Sequence, residues 1–247
     1  MYVFSTTHPC LAIDYRLAPQ HIFPAALQDM LSAYLFLIDP PPSFKKYDPS
    51  QITICGDSAG GNLALVTALW LRDSEYPLPG NMVLLSPWMD LTHSNPSFKL
   101  NHPYDYLPDQ SVDSKYIHAS RTHYCISDNS FLKHPLVSPL FADPIGKRSL
   151  PKTLIQIGDA EKLRDEALVF FEKFKSSEIQ LEMYEDMIHV FHLVCLMVLI
   201  LASLHRWIPL PNQACNASGN LSRTLKNQGD RVHGCEDLET MWFWKMF

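Results

Sequence analysis

The amino-acid sequence predicts an α/β fold built on a mostly parallel sheet with helices on both faces. Short apolar runs typical of strands alternate with segments whose apolar residues recur at helical spacing. Most of the strand-like runs are almost continuously apolar, which is typical of strands covered on both faces. Strands that alternate with helices in this way form parallel sheets through right-handed crossovers.

Five strands and three helices are predicted in order along the chain. The strands cover residues 11–14, 52–55, 82–85, 153–157 and 180–184. The helices cover residues 24–38, 59–72 and 163–174. Pro24 favours a helix start, because its missing N–H and fixed φ angle suit the first helical turn.

Composition is that of an ordinary globular protein. The 247 residues are 47% hydrophobic and 19% charged, which is enough for one core and one main domain. A net charge of −6 without a long basic run argues against nucleic acid as a partner. The six cysteines are widely separated and include no C-x-x-C pair, so neither a metal site nor a disulfide framework is predicted.

Three segments depart from the alternation of strands and helices. Residues 92–150 are too long for a simple connection, and we expect an inserted cap over the active face. Residues 193–204 are apolar but too short to cross a bilayer of about 30 Å, so a buried helix is predicted and membrane association is not. Residues 205–247 lack periodicity and form a divergent tail for which no structure is predicted, which leaves residues 1–204 as the main domain.

The start of the sequence carries no recognisable signal peptide, since it has neither a basic beginning nor an apolar run. The cytoplasm is therefore the default compartment, and the sequence alone does not determine the location. It does not determine an oligomeric state either.

The stretch "ICGDSAGGN" places Ser58 in a Gly-x-Ser-x-Gly pattern, between Gly56 and Gly60. A predicted strand precedes the pattern and a predicted helix follows it, so Ser58 lies where the chain turns sharply. Small residues two before and two after the serine permit such a turn. The backbone N–H of Ala59 is then a candidate oxyanion donor. The alternative interpretation is a tight glycine turn without chemistry.

A serine nucleophile needs a base and a carboxylate that orients the base. Asp159 and Glu161 follow the predicted strand "TLIQI", and His189 and His192 follow the last predicted strand. The chain order serine, acid, histidine is the one typical of α/β-hydrolases.

Five motifs together resemble the hormone-sensitive-lipase-like branch of the α/β-hydrolase superfamily, and within it the fungal esterases and steryl acetyl hydrolases. The motifs, all within residues 11–193, are "DYRLAPQHIFPAALQD", "GDSAGGNLAL", "LVSPLFAD", "GDAEKLRDEA" and "YEDMIHVFH". The resemblance implies a lipase-like serine carboxylesterase that acts on small or medium acyl esters without a cofactor or metal.

The resemblance assigns roles to individual residues. It makes Ser58 the nucleophile and His189 the general base. Glu161 becomes the acid of the triad, although many relatives carry Asp at this position. Asp159 stays the alternative acid, and its other interpretation is a cap of the turn or of the following helix.

Four further residues near these motifs receive structural interpretations. Asp57 is expected to hold the turn at Ser58 through hydrogen bonds. Asp165 and Glu166 are expected on the helix surface, and His192 is expected to be packed or solvated rather than a second base.

The sequence departs from the family in one respect. Relatives carry a His-Gly-Gly-Gly stretch upstream of "DYRLAP" that completes the oxyanion hole, and this sequence contains no such stretch. In the family sheet, the strand that leads into this stretch lies between the strands matching residues 11–14 and 52–55. The resemblance therefore implies an N-terminally truncated hydrolase, in which these two strands either close up as neighbours or leave the chain unstable. A catalytically impaired hydrolase-like binding protein, or a fragment without a function of its own, is the alternative.

Overall fold

The structure is a computed structural model that describes residues 9–108, 129–175, 177–193 and 241–243. The chain divides into two units, one of residues 1–191 with 240–247 and one of residues 192–239. The helices and strands given below all belong to the first unit.

Within the described residues, six strands form one sheet in which every neighbouring pair is parallel. The strands are β1 (Cys10–Leu11), β2 (Ile52–Asp57), β3 (Asn81–Leu85), β4 (Lys152–Gly158), β5 (Ile179–Tyr184) and β6 (Met241–Phe243). Their spatial order is β1-β6-β2-β3-β4-β5. The parallel sheet predicted from the sequence is therefore confirmed, and each of the five predicted strands overlaps an observed one.

The four α-helices of the described residues connect these strands. They are α1 (Ala25–Ile38), α2 (Ser58–Asp73), α3 (Ser97–Leu100) and α4 (Arg164–Lys173). Three of them, α1, α2 and α4, were predicted, each within one residue of its observed ends. Helix α2 packs against α1, β2 and β3, and its residues 61–69 are all buried. A helix enclosed in this way is apolar around most of its circumference, as the sequence "GNLALVTAL" is.

Strand β1 ends at Leu11, three residues before the predicted end. The chain then turns towards α1, where the backbone N–H of Arg16 donates to Asp29 Oδ2 at 2.8 Å. The guanidinium of Arg16 pairs with the same carboxylate at 2.9 Å. These bonds tie the segment after β1 to the helix instead of extending the strand.

Two glycines allow close approaches that position the active face. A Cβ atom on Gly56 would lie 2.3 Å from the carbonyl oxygen of Gly60, and one on Gly158 would lie 2.0 Å from that of Met187. Any side chain at either position would collide with backbone. The end of β2 therefore lies directly against the first turn of α2, and the end of β4 lies directly against the segment that carries His189.

Strand β6 comes from the C-terminal tail and lies between β1 and β2. Met241, Trp242 and Phe243 pair with residues 52–54 of β2, and Trp242 and Phe243 also pair with β1. β1 and β2 therefore do not close up as neighbours, which was one of the two outcomes that the resemblance implied. Three tail residues, for which the sequence predicted no structure, supply the backbone hydrogen-bonding groups that both strands need.

No helix among the described residues has the length and hydropathy needed to cross a membrane. The helix predicted at residues 193–204 lies outside the described residues except for Leu193. The short helical stretch considered at residues 109–117, within the predicted cap, also lies outside them.

The position of β6 can be tested by replacing Trp242 with proline, which removes the central backbone N–H of a three-residue strand. We expect the free energy of unfolding to fall by about 1 to 3 kcal/mol, the cost of leaving buried backbone groups of the neighbouring strands unpaired. Trp242→Ala keeps the N–H and is the matched control. Chemical denaturation measures the difference, and equal stability of the two variants would contradict the pairing of β6.

Candidate active site

Ser58 is the first residue of α2 and follows the last residue of β2 directly. Its φ angle is 51°, in the left-handed region that residues other than glycine rarely adopt. Strain of this kind persists only where the surrounding structure holds it, and it concentrates at functional sites. Ala59 is exposed at the first turn of the helix, where backbone N–H groups have no intrahelical acceptor.

His189 lies next to Ser58 although 131 residues separate them in the chain. Its Nε2 atom is 2.9 Å from Ser58 Oγ, within hydrogen-bond distance. The side chain is fully buried, and burial lowers the pKa of the imidazole to about 3. His189 is therefore neutral at neutral pH, which is the form that can accept a proton.

Glu161 lies on the other side of the imidazole. Its Oε2 atom is 4.0 Å from His189 Nδ1, which is longer than a hydrogen bond. His189 Nδ1 and Glu161 Oε1 have no hydrogen-bond partner among the described residues. Burial is the main cause that raises the pKa of Glu161, to about 8. The three side chains thus form a row in the order serine, histidine, glutamate, in which His189 and Glu161 are buried and Ser58 is half-buried.

Asp159, the alternative acid, makes hydrogen bonds through its backbone N–H and carbonyl groups. Its N–H donates to the carbonyl oxygen of Tyr184 at 3.0 Å. Its carbonyl oxygen accepts from Asn101 Nδ2 at 3.1 Å and from Arg164 Nη1 at 3.0 Å. No contact between the Asp159 carboxylate and His189 is found among the described residues, so Glu161 is the carboxylate that the structure brings near the imidazole.

The expectation that Asp57 holds the turn at Ser58 through hydrogen bonds is wrong. Both side-chain oxygens are buried and have no hydrogen-bond partner among the described residues, and burial raises the pKa of Asp57 to about 6. The turn is held instead from the segment after β3, because the backbone N–H of Trp88 donates to the carbonyl oxygen of Ser58 at 3.0 Å. Asn62 Nδ2 donates to the carbonyl oxygen of Trp88 at 2.7 Å and fixes that segment to α2.

The expectation that Glu166 lies on the helix surface is wrong. Glu166 is buried, and its Oε1 accepts hydrogen bonds from the backbone N–H groups of Met89 and Asp90. These buried N–H groups need an acceptor, which the first turn of α4 supplies. Asp165 is half-buried and accepts from the backbone N–H of Ser97 at 2.8 Å.

Part of the predicted cap is fastened to the turn that carries Glu161. Asn101 Nδ2 donates to the carbonyl oxygen of Glu161 at 2.9 Å. The backbone N–H of Lys162 donates to Asp105 Oδ2 at 2.6 Å, and Lys162 Nζ donates to the carbonyl oxygen of Leu107 at 2.6 Å. Tyr106 lies between these anchors, with its ring centroid 6.0 Å from that of His189. Residues 101–107 therefore adjoin the histidine.

Sequence reasoning missed Ser86, which contacts Glu161 directly. Its Oγ donates to Glu161 Oε2 at 2.7 Å. One available signal was its position, because Ser86 follows β3, and functional groups of parallel sheets gather at the carboxyl ends of the strands. Among the described residues, no group of three or more His, Cys, Asp or Glu could hold a metal ion.

A family profile described as alpha/beta hydrolase fold matches residues 2–193, which is most of the chain. The chain belongs to the α/β-hydrolase fold family. An esterase of Acinetobacter venetianus is 32% identical over 204 residues, covering 82% of this chain and 60% of the esterase. An acetyl-hydrolase of Streptomyces hygroscopicus is 30% identical over 221 residues, covering 89% of this chain and 66% of that protein. The chain thus spans less than two thirds of the length of either relative.

Solved structures agree with this membership. A hormone-sensitive lipase from a metagenome library shares 31% identity with a TM-score of 0.64, covering 79% of this α/β-hydrolase and 63% of that chain. The structure of EstE5 soaked with p-nitrophenyl butyrate shares 33% identity with a TM-score of 0.62, covering 87% of this chain and 64% of the EstE5 chain. The hormone-sensitive-lipase-like branch predicted from the sequence motifs is therefore confirmed.

The raised pKa of Glu161 predicts a pH dependence of stability. A carboxyl whose pKa is about 8 in the folded state and 4.5 in the unfolded state contributes stability that is lost as pH rises towards 8. The His189 and His192 pKa values are lowered by burial, and the slope that these imidazoles add near their unfolded pKa of 6.5 is the same in the native protein and in Glu161→Gln, so it cancels in the comparison. Between about pH 6.5 and 8, the free energy of unfolding of Glu161→Gln should therefore fall by about 1.5 kcal/mol less than that of the native protein.

Denaturant unfolding of the two proteins at several pH values measures this difference. Glu166, whose pKa burial also raises, is present in both proteins, so the difference isolates Glu161. Parallel curves for the two proteins would show that Glu161 is ionised throughout this range.

Proposed function

We propose that this chain is a serine carboxylic-ester hydrolase that acts on small or medium acyl esters, with Ser58, His189 and Glu161 as its catalytic triad. The observation that carries the proposal is the 2.9 Å separation between Ser58 Oγ and His189 Nε2, at a strained strand-to-helix turn. The names of the similar proteins, esterase and acetyl-hydrolase, support the same class of substrate.

The proposed first step forms an acyl-enzyme. Ser58 Oγ attacks the carbonyl carbon of the ester while His189 Nε2 accepts the hydroxyl proton. The negative charge that develops on the carbonyl oxygen is stabilised by the backbone N–H of Ala59 at the positive end of α2. The bond to the alcohol then breaks, and His189 returns the proton to the leaving oxygen.

The second step releases the acid. A water molecule attacks the acyl carbon, His189 accepts a proton from it, and the bond to Ser58 breaks as the proton passes to Oγ. The carboxylate of Glu161 stabilises the imidazolium that forms transiently in both steps. Its 4.0 Å separation from His189 Nδ1 would shorten in the substrate complex, because catalytic hydrogen bonds are often longer before substrate binds.

We assign residues 1–191 together with β6, rather than residues 1–204 alone, to the catalytic domain, and we assign residues 92–150 to a cap over its active face. Contacts of Asn101, Asp105 and Leu107 with the turn that carries Glu161 support this assignment. The ring of Tyr106, half exposed beside His189, would then line the space for the acyl or alcohol group.

An impaired hydrolase-like protein that binds esters without efficient turnover is the second candidate. The open Glu161–His189 separation of 4.0 Å favours it. Such a protein would still react with an irreversible probe, but its turnover would be low.

A fluorophosphonate probe tests the nucleophile directly. We expect mass spectrometry to map the label to Ser58, and the Ser58→Ala variant to lose both the label and at least about 10⁴-fold in esterase kcat. Ser138→Ala is the matched control, because it removes a fully buried hydroxyl that bonds the backbone N–H of Leu91 at 2.8 Å. A folded native protein that takes up no label would refute the proposed function.

A further inference from the structure

Ser86 occupies a position from which it reaches three separate parts of the active face. It follows the last residue of β3, is fully buried, and has a φ angle of 44°. Its backbone N–H donates to the carbonyl oxygen of Gln156 on β4 at 2.8 Å. Its hydroxyl contacts Glu161 and the backbone of Val190, the residue after His189. One small side chain therefore joins the end of β3 to the turn that carries Glu161 and to the segment that carries His189.

The direction of the hydroxyl bond follows from its partners. A serine hydroxyl has one proton to donate and lone pairs that accept. The N–H of Val190 can only donate, and it reaches Ser86 Oγ at 3.0 Å, which occupies an acceptor site of the hydroxyl. The hydroxyl proton is thereby free for Glu161 Oε2, 2.7 Å away. That oxygen is also the one 4.0 Å from His189 Nδ1.

We propose that Ser86 is a positioning residue of the triad, whose hydroxyl fixes Glu161 Oε2 opposite the imidazole and favours the carboxylate form of Glu161. The proposal rests on the proposed esterase function and deepens it. The hydroxyl acts through Glu161 and contacts neither the nucleophile nor a reacting atom.

The charges around Glu161 explain why such a donor is needed. Burial is the largest influence on the Glu161 pKa and raises it, and the negative charge of Asp105 raises it further. The negative charge of Glu161 in turn contributes to the raised pKa values of Glu166 and Tyr106. His189, on the remaining side, is neutral because burial lowers its pKa.

The hydrogen bond from the hydroxyl of Ser86 is the larger of the two influences that lower the Glu161 pKa. The other comes from the backbone N–H of Gly158, which is present in every variant of the chain. Ser86 is therefore the side chain whose removal would leave Glu161 more often protonated, and a neutral acid stabilises the imidazolium less well than a carboxylate does.

The test replaces Ser86 with alanine and with glycine. Both variants remove the hydroxyl, and glycine adopts a φ angle of 44° without a steric cost, so it serves if the alanine variant does not fold. Ser138→Ala is again the control, because it removes a buried hydroxyl away from the triad. The readout is kcat as a function of pH for hydrolysis of p-nitrophenyl butyrate.

We expect the acid limb of the profile to move to higher pH by about one to two units in both Ser86 variants, because loss of a hydrogen bond to a carboxylate raises its pKa by about that much. Ser138→Ala should leave the limb in place. A purely structural Ser86 would lower stability without moving the limb, and an unmoved limb in both Ser86 variants would overturn the proposal.

A second measurement keeps this result separate from the proposed function. If the folded native protein hydrolyses no ester, the esterase proposal fails, and the role of Ser86 is decided by NMR titration of carboxyl-labelled glutamate, with the Glu161 signal assigned from Glu161→Gln. A Glu161 pKa that is higher in Ser86→Ala than in the native protein supports the proposal. Equal values contradict it.

Discussion

The contact between Ser58 and His189 is the interaction on which the rest of the site depends. It joins the start of α2 to a segment 131 residues later, and it forms because both lie at the carboxyl ends of parallel strands. The close approaches at Gly56 and Gly158 bring these ends together without room for a side chain. The sheet therefore positions Ser58 and His189, the proposed nucleophile and base, and the strained backbone at Ser58 is held by the packing around it.

Burial determines the chemistry of this contact as much as distance does. It keeps His189 neutral, which suits a base, and it opposes ionisation of Glu161, which does not suit a carboxylate that must stabilise an imidazolium. The hydrogen bond from Ser86, at the end of β3, counters the second effect. In the proposed triad, the low polarity around Glu161 is thus opposed by a fixed hydrogen-bond donor.

The parallel sheet, the three long helices and the turn at Ser58 could be predicted because they follow from local apolar patterns and small residues. The role of Glu166 could not be predicted, because its carboxylate accepts hydrogen bonds from backbone N–H groups of a distant segment. Ser86 was missed for the same reason, because its partners lie 75 and 104 residues away in the chain. Strand β6 could not be predicted, because its three residues are too few to show a strand pattern and form a strand through their pairing with β1 and β2.

We propose that Glu161, rather than Asp159, is the carboxylate that acts with Ser58 and His189. The most direct measurement is esterase kcat for Glu161→Gln beside Asp159→Asn, two substitutions that each exchange a carboxylate for an amide of similar shape. We expect a loss of about 10³- to 10⁴-fold for Glu161→Gln and of less than about 10-fold for Asp159→Asn. The reverse order would show that Asp159 orients the histidine and would refute the assignment of Glu161 as the acid of the triad.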